Sequence, residues 1–105
     1  MRGDVHVLRA SRDVRGHELR GPRYAVVLQS DDLRLSTTLV APTSTSSRPG
    51  SFRPEIELGG ERALVMLEQL RVVDPEHRLG EFVGRVSAAE LREIDRALGV
   101  VLGLR

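Results

Sequence analysis

The chain has 105 residues but no cysteine, no lysine and no tryptophan, and aromatic residues make up only 3% of it. The lack of cysteine excludes disulfide bonds, thiolate metal sites and thiol nucleophiles. The shortage of aromatic rings argues against a base-stacking platform of the kind that aromatic-rich single-strand binders use. Any chemistry therefore has to use oxygen, imidazole or guanidinium groups.

Long hydrophobic runs are missing as well. No apolar stretch approaches the roughly 20 residues of a membrane span, and the N-terminal sequence is unlike a signal peptide. We therefore expect a cytoplasmic protein. The length, with a hydrophobic content of 40%, suits one compact domain with its own core, so residues 1–105 are predicted to form a single domain.

Charge is unevenly distributed, although the formal net charge is only +1. Residues 1–54 carry nine arginines and five acidic residues, whereas residues 55–105 carry seven arginines and ten acidic residues. No acidic residue lies between Leu35 and Pro54. Because the chain has arginine and no lysine, residues 1–54 are rich in planar guanidinium groups, which suit phosphate. A phosphate-bearing partner and a merely solvated basic surface are both consistent with this pattern.

Short strands dominate the predicted secondary structure. Apolar alternation or short apolar runs predict strands at DVHVLRA, YAVVLQ, RLSTTLVA, FRPEIEL, ALVML, LRVVD and EFVGRV. Two polar stretches between them, Ser11 to Pro22 and Pro42 to Ser51, are predicted to be loops. Many short strands at this spacing are typical of a small barrel or a twisted antiparallel sheet.

A helix is predicted at the C-terminus, over about Ala88 to Leu102. Ser87 and Glu90 have the capping-box spacing. Apolar residues recur behind them at helical intervals, at Leu91, Ile94, Leu98 and Val101. This stripe should pack on one face of the sheet. The expected fold class is therefore mainly β (α+β), with short antiparallel strands and a C-terminal amphipathic helix.

The two predicted loops flank neighbouring strands, so we expect them to border the same end of the sheet. They would form a groove lined by arginine and hydroxyl side chains. Arginine donates bidentate, permanently charged hydrogen bonds to phosphate oxygens. The residues alone thus predict a small β domain that binds a polyanion.

Five segments, in this order, carry a family resemblance: RGDV, GHELRGPR, LVAPTS, LEQLRVVD and VGRVSAAEL. Together they resemble the MazF/PemK/Kid family of toxin endoribonucleases over Arg2 to Leu102. The resemblance implies an SH3-like barrel, a homodimer and no cofactor. It also implies metal-independent cleavage of single-stranded RNA at short sequences, the activity of an mRNA interferase. A cognate acidic, MazE-like antitoxin would neutralise the protein.

The resemblance also implies roles for three residues. The family's central arginine matches Arg23, its catalytic threonine matches Thr43, and the histidine of its Gly-His-Glu element matches His17. A ribose 2′-hydroxyl would attack the adjacent phosphorus and expel the 5′-oxygen of the next nucleotide. Arg23 would stabilise the growing negative charge, Thr43 would donate a hydrogen bond to the same oxygens, and His17 would carry protons.

Further substrate contacts are expected from neighbouring polar residues. Hydroxyl and amide groups here can either contact RNA or satisfy the backbone of a turn. Arginines would add a diffuse attraction to RNA that weakens with salt. The residues in question are Glu18, Ser44, Arg20, Arg48, Glu68 and Gln69.

The sequence departs from the family pattern at several positions. Tyr24 stands where a proline normally follows the central arginine, and His6 replaces a tryptophan. Met66 and Glu68 stand where some members have arginine and aspartate. These departures leave two alternatives open. One is a non-catalytic toxin that binds a protein target such as DNA gyrase, as the related CcdB barrels do, and the other is a catalytically decayed homologue.

Overall fold

The computed structural model describes residues 1–10 and 23–104. Within these residues the chain forms seven strands, two α-helices and one short 3-10 turn. In chain order they are β1 (Asp4–Leu8), β2 (Arg23–Val27), β3 (Thr38–Ser44), β4 (Glu55–Leu58), β5 (Glu61–Val65), the 3-10 turn (Leu67–Gln69), β6 (Arg71–Val73), α1 (Pro75–Arg78), β7 (Leu79–Arg85) and α2 (Ala88–Leu102).

All strand pairs are antiparallel, and their order is β4-β5-β3-β2-β1-β7. β3 organises the sheet. One edge of β3 pairs with β2, and the other edge pairs first with β6 and then with β5. The result is a half-barrel of short strands with a helix at its C-terminal end, so the predicted fold class is confirmed.

β3 departs from the prediction, which started it at Arg34 and began a loop at Pro42. The strand begins at Thr38 and continues through Pro42 to Ser44. The carbonyl of Pro42 accepts a hydrogen bond from the Met66 amide at 2.8 Å, so the Pro42 nitrogen faces the same edge. On that edge β3 changes partner from β6 to β5. The missing N–H of Pro42 therefore removes no ladder hydrogen bond.

The main core lies between the half-barrel and α2. Its fully buried residues include Val5, Val26, Ala41, Val65 and Ile94. The opposite face of the central strands carries a second, smaller apolar cluster, which comprises Leu8, Ala25, Val27, Val40 and Val73. Because strand side chains alternate between faces, β2 and β3 contribute to both clusters.

α2 has the predicted bounds and the predicted N-terminal cap. The Ser87 hydroxyl accepts a hydrogen bond from the Glu90 amide at 3.1 Å, and Glu90 Oε1 accepts one from the Ser87 amide at 2.8 Å. Gly103 ends the helix with a φ of +71°, a conformation that glycine adopts without strain. In the described part of the chain, no helix is long and apolar enough to cross a membrane.

The N-terminal residues are fixed by ion pairs. Arg2 donates to the Leu28 carbonyl at 2.8 Å and to Asp95 Oδ1 on α2 at 2.6 Å. The buried Asp4 accepts hydrogen bonds from Arg85 at 2.8 Å and from the N-terminal ammonium at 3.0 Å. Burial alone would raise the pKa of Asp4, but these two cationic donors outweigh it, so its pKa is lowered.

Candidate functional site

Arg23 has a buried side-chain nitrogen that lacks an acceptor among the described residues. It is the first residue of β2, opposite Leu8 of β1, and its side chain is half-buried. Its Nε is shielded from solvent and has no hydrogen-bond partner in the part of the chain that the structure describes. A buried donor left unpaired costs about 1–3 kcal/mol. An anionic ligand that accepts from this nitrogen would remove that penalty.

The register of β2 and β3 decides which residues share a face with Arg23. Ala25 and Pro42 are Cα partners, so their side chains lie on the same face. Side chains alternate along each strand, so Arg23 shares the face of Ala25, and Ser44 shares the face of Pro42. Thr43 therefore lies on the opposite face from Arg23.

The surroundings of Thr43 agree with this register. Its Cα partner on β5 is Val65, a fully buried residue of the main core. Exposure does not separate the two hydroxyl residues, because Thr43 is 3% and Ser44 is 1% exposed. Arg23 and Thr43 were expected to reach the same phosphate oxygens. The register opposes that expectation, because the Thr43 side chain points toward the core, and it favours Ser44 as the hydroxyl that accompanies Arg23.

The Ser44 hydroxyl is oriented by the segment that follows it. Its oxygen accepts hydrogen bonds from the amides of Ser46 at 3.2 Å and Ser47 at 3.1 Å. It also lies 2.8 Å from the Ser47 hydroxyl. A serine hydroxyl has two acceptor positions and one proton. With both acceptor positions occupied by amides, the proton is left for Ser47 Oγ or for a ligand oxygen in its place.

Arg53 holds the segment after β3 in place. Its Nε and one terminal nitrogen lie 2.9 and 2.6 Å from Glu68 Oε2. The other terminal nitrogen donates to the Arg48 carbonyl at 2.8 Å, and the guanidinium lies 5.0 Å from the centre of the Phe52 ring. We call these contacts the Arg53 clamp. Nothing in the sequence indicates that Glu68 folds beside Arg53.

The clamp involves two of the predicted substrate contacts, and a third has a different partner. The carboxylate of Glu68 is already paired, and Arg48 contributes its carbonyl to the clamp while its side chain is exposed. Gln69, the last residue of the 3-10 turn, accepts a hydrogen bond from Arg71 Nε through its carbonyl at 3.3 Å.

Three predicted site residues, His17, Glu18 and Arg20, lie outside the described residues. Among the described residues, no group of three or more histidine, aspartate or glutamate side chains could hold a metal ion.

The whole chain is similar to known toxins. The family described as "PemK-like, MazF-like toxin of type II toxin-antitoxin system" matches residues 1–102. A candidate toxin of Mycobacterium tuberculosis, Rv3098A, is 35% identical over 104 residues, covering 99% of this chain and 98% of that protein. The endoribonuclease MazF of Staphylococcus epidermidis is 30% identical over 111 residues, covering 98% and 91%.

A solved structure agrees with the fold. An endoribonuclease in complex with its cognate antitoxin, from a mycobacterial species, superposes with a TM-score of 0.81 at 17% identity, covering 100% of this chain and 96% of that one. This likeness concerns the fold alone. Together with the family match over residues 1–102 and the two related sequences, it leads to one conclusion. The chain belongs to the PemK-like, MazF-like toxins of type II toxin-antitoxin systems.

Proposed function

We propose that this toxin is an endoribonuclease that cleaves single-stranded RNA at selected sequences without a metal ion. A relative of 30% identity is named an endoribonuclease, which supports the class of reaction. The observation that carries the proposal is the Nε of the half-buried Arg23, which has no partner among the described residues and lies on the face that also carries the Ser44 hydroxyl.

In the proposed reaction, the ribose 2′-oxygen forms a bond to the adjacent phosphorus as its proton is removed. The bond from phosphorus to the 5′-oxygen of the next nucleotide breaks, and that oxygen takes up a proton. A 2′,3′-cyclic phosphate and a free 5′-hydroxyl result. Negative charge grows on the non-bridging oxygens, where Arg23 would donate from a fixed position and Ser44 would add a neutral hydrogen bond. Such a donor contributes about 10²- to 10³-fold to the rate.

The proton carriers are assigned by chemistry. Arginine keeps its proton at any relevant pH and therefore cannot carry protons in the reaction. His17, with an ordinary pKa of about 6.5, is the proposed shuttle, and Glu18 is the second candidate. General acid-base catalysis is worth about 10²- to 10⁴-fold. Arg20 and Arg48 would attract RNA without choosing its sequence.

The proposed active form is a homodimer. Phe82 is the Cα partner of His6, which pairs with Ala25, so Phe82 lies on the sheet face opposite the main core, and it is 51% exposed. A second copy of the chain would bury this exposed aromatic side chain. An acidic antitoxin would neutralise the toxin by occupying the face that carries Arg23. In support, a structure of similar fold holds an endoribonuclease with its cognate antitoxin.

The test is cleavage of a long RNA by the purified protein in the presence of EDTA. We expect discrete fragments with 5′-hydroxyl ends, and no cut where the attacking 2′-hydroxyl is replaced by hydrogen. Arg23→Ala should abolish cleavage and leave the circular dichroism spectrum unchanged. Arg92→Ala, at an exposed arginine of α2, is the matched control and should cut normally. Intact RNA with the unaltered protein, or cleavage of the deoxy-substituted linkage, would disprove the mechanism.

A further inference from the structure

A shallow cavity of about 180 Å³ opens beside Ser44. Its lining includes Ser47, Pro49, Glu55, Arg62 and Leu64. The cavity therefore lies next to the hydroxyl that would contact the reacting phosphate.

The strand register connects this cavity to the candidate site. Leu64 of β5 is the Cα partner of Ser44 on β3 and also of Glu55 on β4. Ser44, Leu64 and Glu55 thus form one row across three strands, on the same face of the sheet. Neighbouring strands are about 4.8 Å apart, so the row spans roughly 10 Å. This is the reach of a single nucleotide from its phosphate to the far edge of its base.

The two charged residues of the cavity are only loosely paired. The nearest nitrogen and oxygen of Arg62 and Glu55 are 3.6 Å apart, and the two side chains are 78% and 52% exposed. An exposed ion pair at this distance contributes little free energy. Both side chains can therefore turn toward a ligand at a small cost in stability.

The charge pattern restricts what the cavity can bind. The Glu55 carboxylate would repel a second phosphate, so a neutral group fits better than another part of the RNA backbone. That group must offer hydrogen-bond donors to a carboxylate and, beside them, acceptors to a guanidinium. Pro49 and Leu64 add apolar surface for a flat ring.

We propose that this cavity binds a guanine base next to the cleaved linkage, an inference that rests on the proposed function. Glu55 accepts hydrogen bonds from the guanine N1 and N2 donors, and Arg62 donates to O6 and N7. Single-stranded RNA is read in this way, through the edges of its unstacked bases. Arginine to guanine O6 and N7 is also the commonest specific contact in base recognition.

Other bases satisfy this pair of residues less well. Guanine presents two adjacent donors to one carboxylate, whereas adenine, cytosine and uracil each present a single donor group on the same edge. Uracil and cytosine also lack the N7 acceptor. A bidentate contact discriminates against a wrong base by about 10- to 100-fold. The cavity thus gives the toxin its preference for guanine.

Binding can be measured without any cleavage. The probes are 2′-deoxyguanosine 3′,5′-bisphosphate and its hypoxanthine and adenine analogues, which carry a phosphate on both sides and have no attacking hydroxyl. In calorimetric titrations we expect guanine to bind about 10- to 100-fold more tightly than adenine, with hypoxanthine, which lacks the N2 donor, in between. Glu55→Gln and Arg62→Gln should each reduce this preference. Glu61→Gln is the matched control, because Glu61 is exposed, has Leu58 as its strand partner and does not line the cavity.

A second measurement separates this inference from the proposed function. Mapping the 5′ ends of fragments from a long RNA should show guanine within one nucleotide of the cut, and Glu55→Gln should relax that choice. Equal affinity of the unaltered protein for the three probes would overturn the guanine cavity, whether or not RNA is cut. Tight guanine binding without any RNA cleavage would preserve the cavity and reject the endoribonuclease.

Discussion

Arg53 and Glu68 meet at a single carboxylate oxygen, which lies 2.9 Å from the Arg53 Nε and 2.6 Å from one of its terminal nitrogens. The pair joins the segment between β3 and β4 to the 3-10 turn before β6. Because Arg53 also holds the Arg48 carbonyl, it fixes the path of the chain that follows Ser44. An ion pair far from Arg23 in sequence thereby supports the candidate site.

The Arg53 clamp should be measurable as a coupling energy. The side chains of Arg53 and Glu68 are 21% and 28% exposed, so solvent screens the pair only in part. Urea unfolding of Arg53→Ala, Glu68→Gln and the double variant should give a coupling of about 1 kcal/mol. The same cycle for Arg62 and Glu55, at 3.6 Å and more exposed, should give almost none. Equal coupling in the two cycles would contradict the clamp.

Removing each hydroxyl at the end of β3 should distinguish Ser44 from Thr43. On the proposed function, Ser44→Ala lowers the cleavage rate by about 10²-fold or more, because a donor to the phosphate is lost. Thr43→Val keeps the shape of a side chain that faces the core and should retain most activity. Single-turnover cleavage of one RNA oligonucleotide measures both. Ser47→Ala removes a hydrogen-bond partner of Ser44 but keeps the Ser44 hydroxyl. It therefore controls for a change in the conformation of the segment after β3. The reverse order of effects would restore Thr43 as the catalytic hydroxyl.

Asp4 should make stability fall in acid. Its pKa is lowered in the folded state, so the stability it contributes is complete above the ordinary value of 3.8 and is lost as the pH falls through the folded-state pKa. Asp4→Asn should be less stable at pH 7, by about 1–3 kcal/mol, and should lose less stability below about pH 4. Urea unfolding across this range tests it, with the exposed Asp32→Asn as the control. Parallel pH curves for Asp4→Asn and the unaltered protein would refute the prediction.

The cap of α2 also connects the helix to β4. Ser87→Ala should destabilise the fold by about 1 kcal/mol through loss of the capping hydrogen bond. Glu90→Ala should cost more, because Glu90 Oε2 also accepts from the Glu57 amide at 2.7 Å. Thermal or urea unfolding gives the order of the two variants. Ser36→Ala, at an exposed loop position, should change little. An effect of Glu90→Ala no larger than that of Ser87→Ala would mean that the contact to β4 adds nothing.

The proposed dimer predicts that Phe82 lies in the contact between the two copies of the chain. Phe82→Arg should shift the protein from dimer to monomer in sedimentation or light-scattering measurements, because a charge would enter an apolar contact. Leu104, which is 66% exposed beyond α2, offers the control variant Leu104→Arg. A monomer for the unaltered protein at micromolar concentration would reject the dimer. So would a dimer that Phe82→Arg leaves intact.

Most of the fold could be predicted from local patterns. The Ser87 and Glu90 spacing located α2 to the residue, because a capping box and an apolar stripe are both local signals. Each predicted strand has a counterpart, although several boundaries moved. The short helix α1 was not predicted, because four residues are too few to show helical periodicity. Asp74 as the N-cap and Pro75 at the first helical position are the signals that could have indicated it.

The candidate site was less accessible to sequence reasoning. The family resemblance selected Arg23 from one segment, but which hydroxyl shares its face depends on strand register, which a sequence encodes only through pairing with distant residues. The end of β3 shows this difficulty. A proline and a row of hydroxyl residues indicate a loop, yet tertiary pairing with β5 keeps Thr43 and Ser44 in the strand. The Arg53 clamp likewise depends on contacts between separate segments.

Pro42 marks the point on β3 between the part that pairs with β6 and the part that pairs with β5. Because the two ends of this edge are paired with different strands, these two pairings can open independently. Local opening of β4 and β5 would release Ser44 while Thr38 to Val40 stay paired with β6. In amide hydrogen exchange, the two ends of this one strand should therefore lose protection at different rates. The end that carries Ser44 would exchange together with β4 and β5.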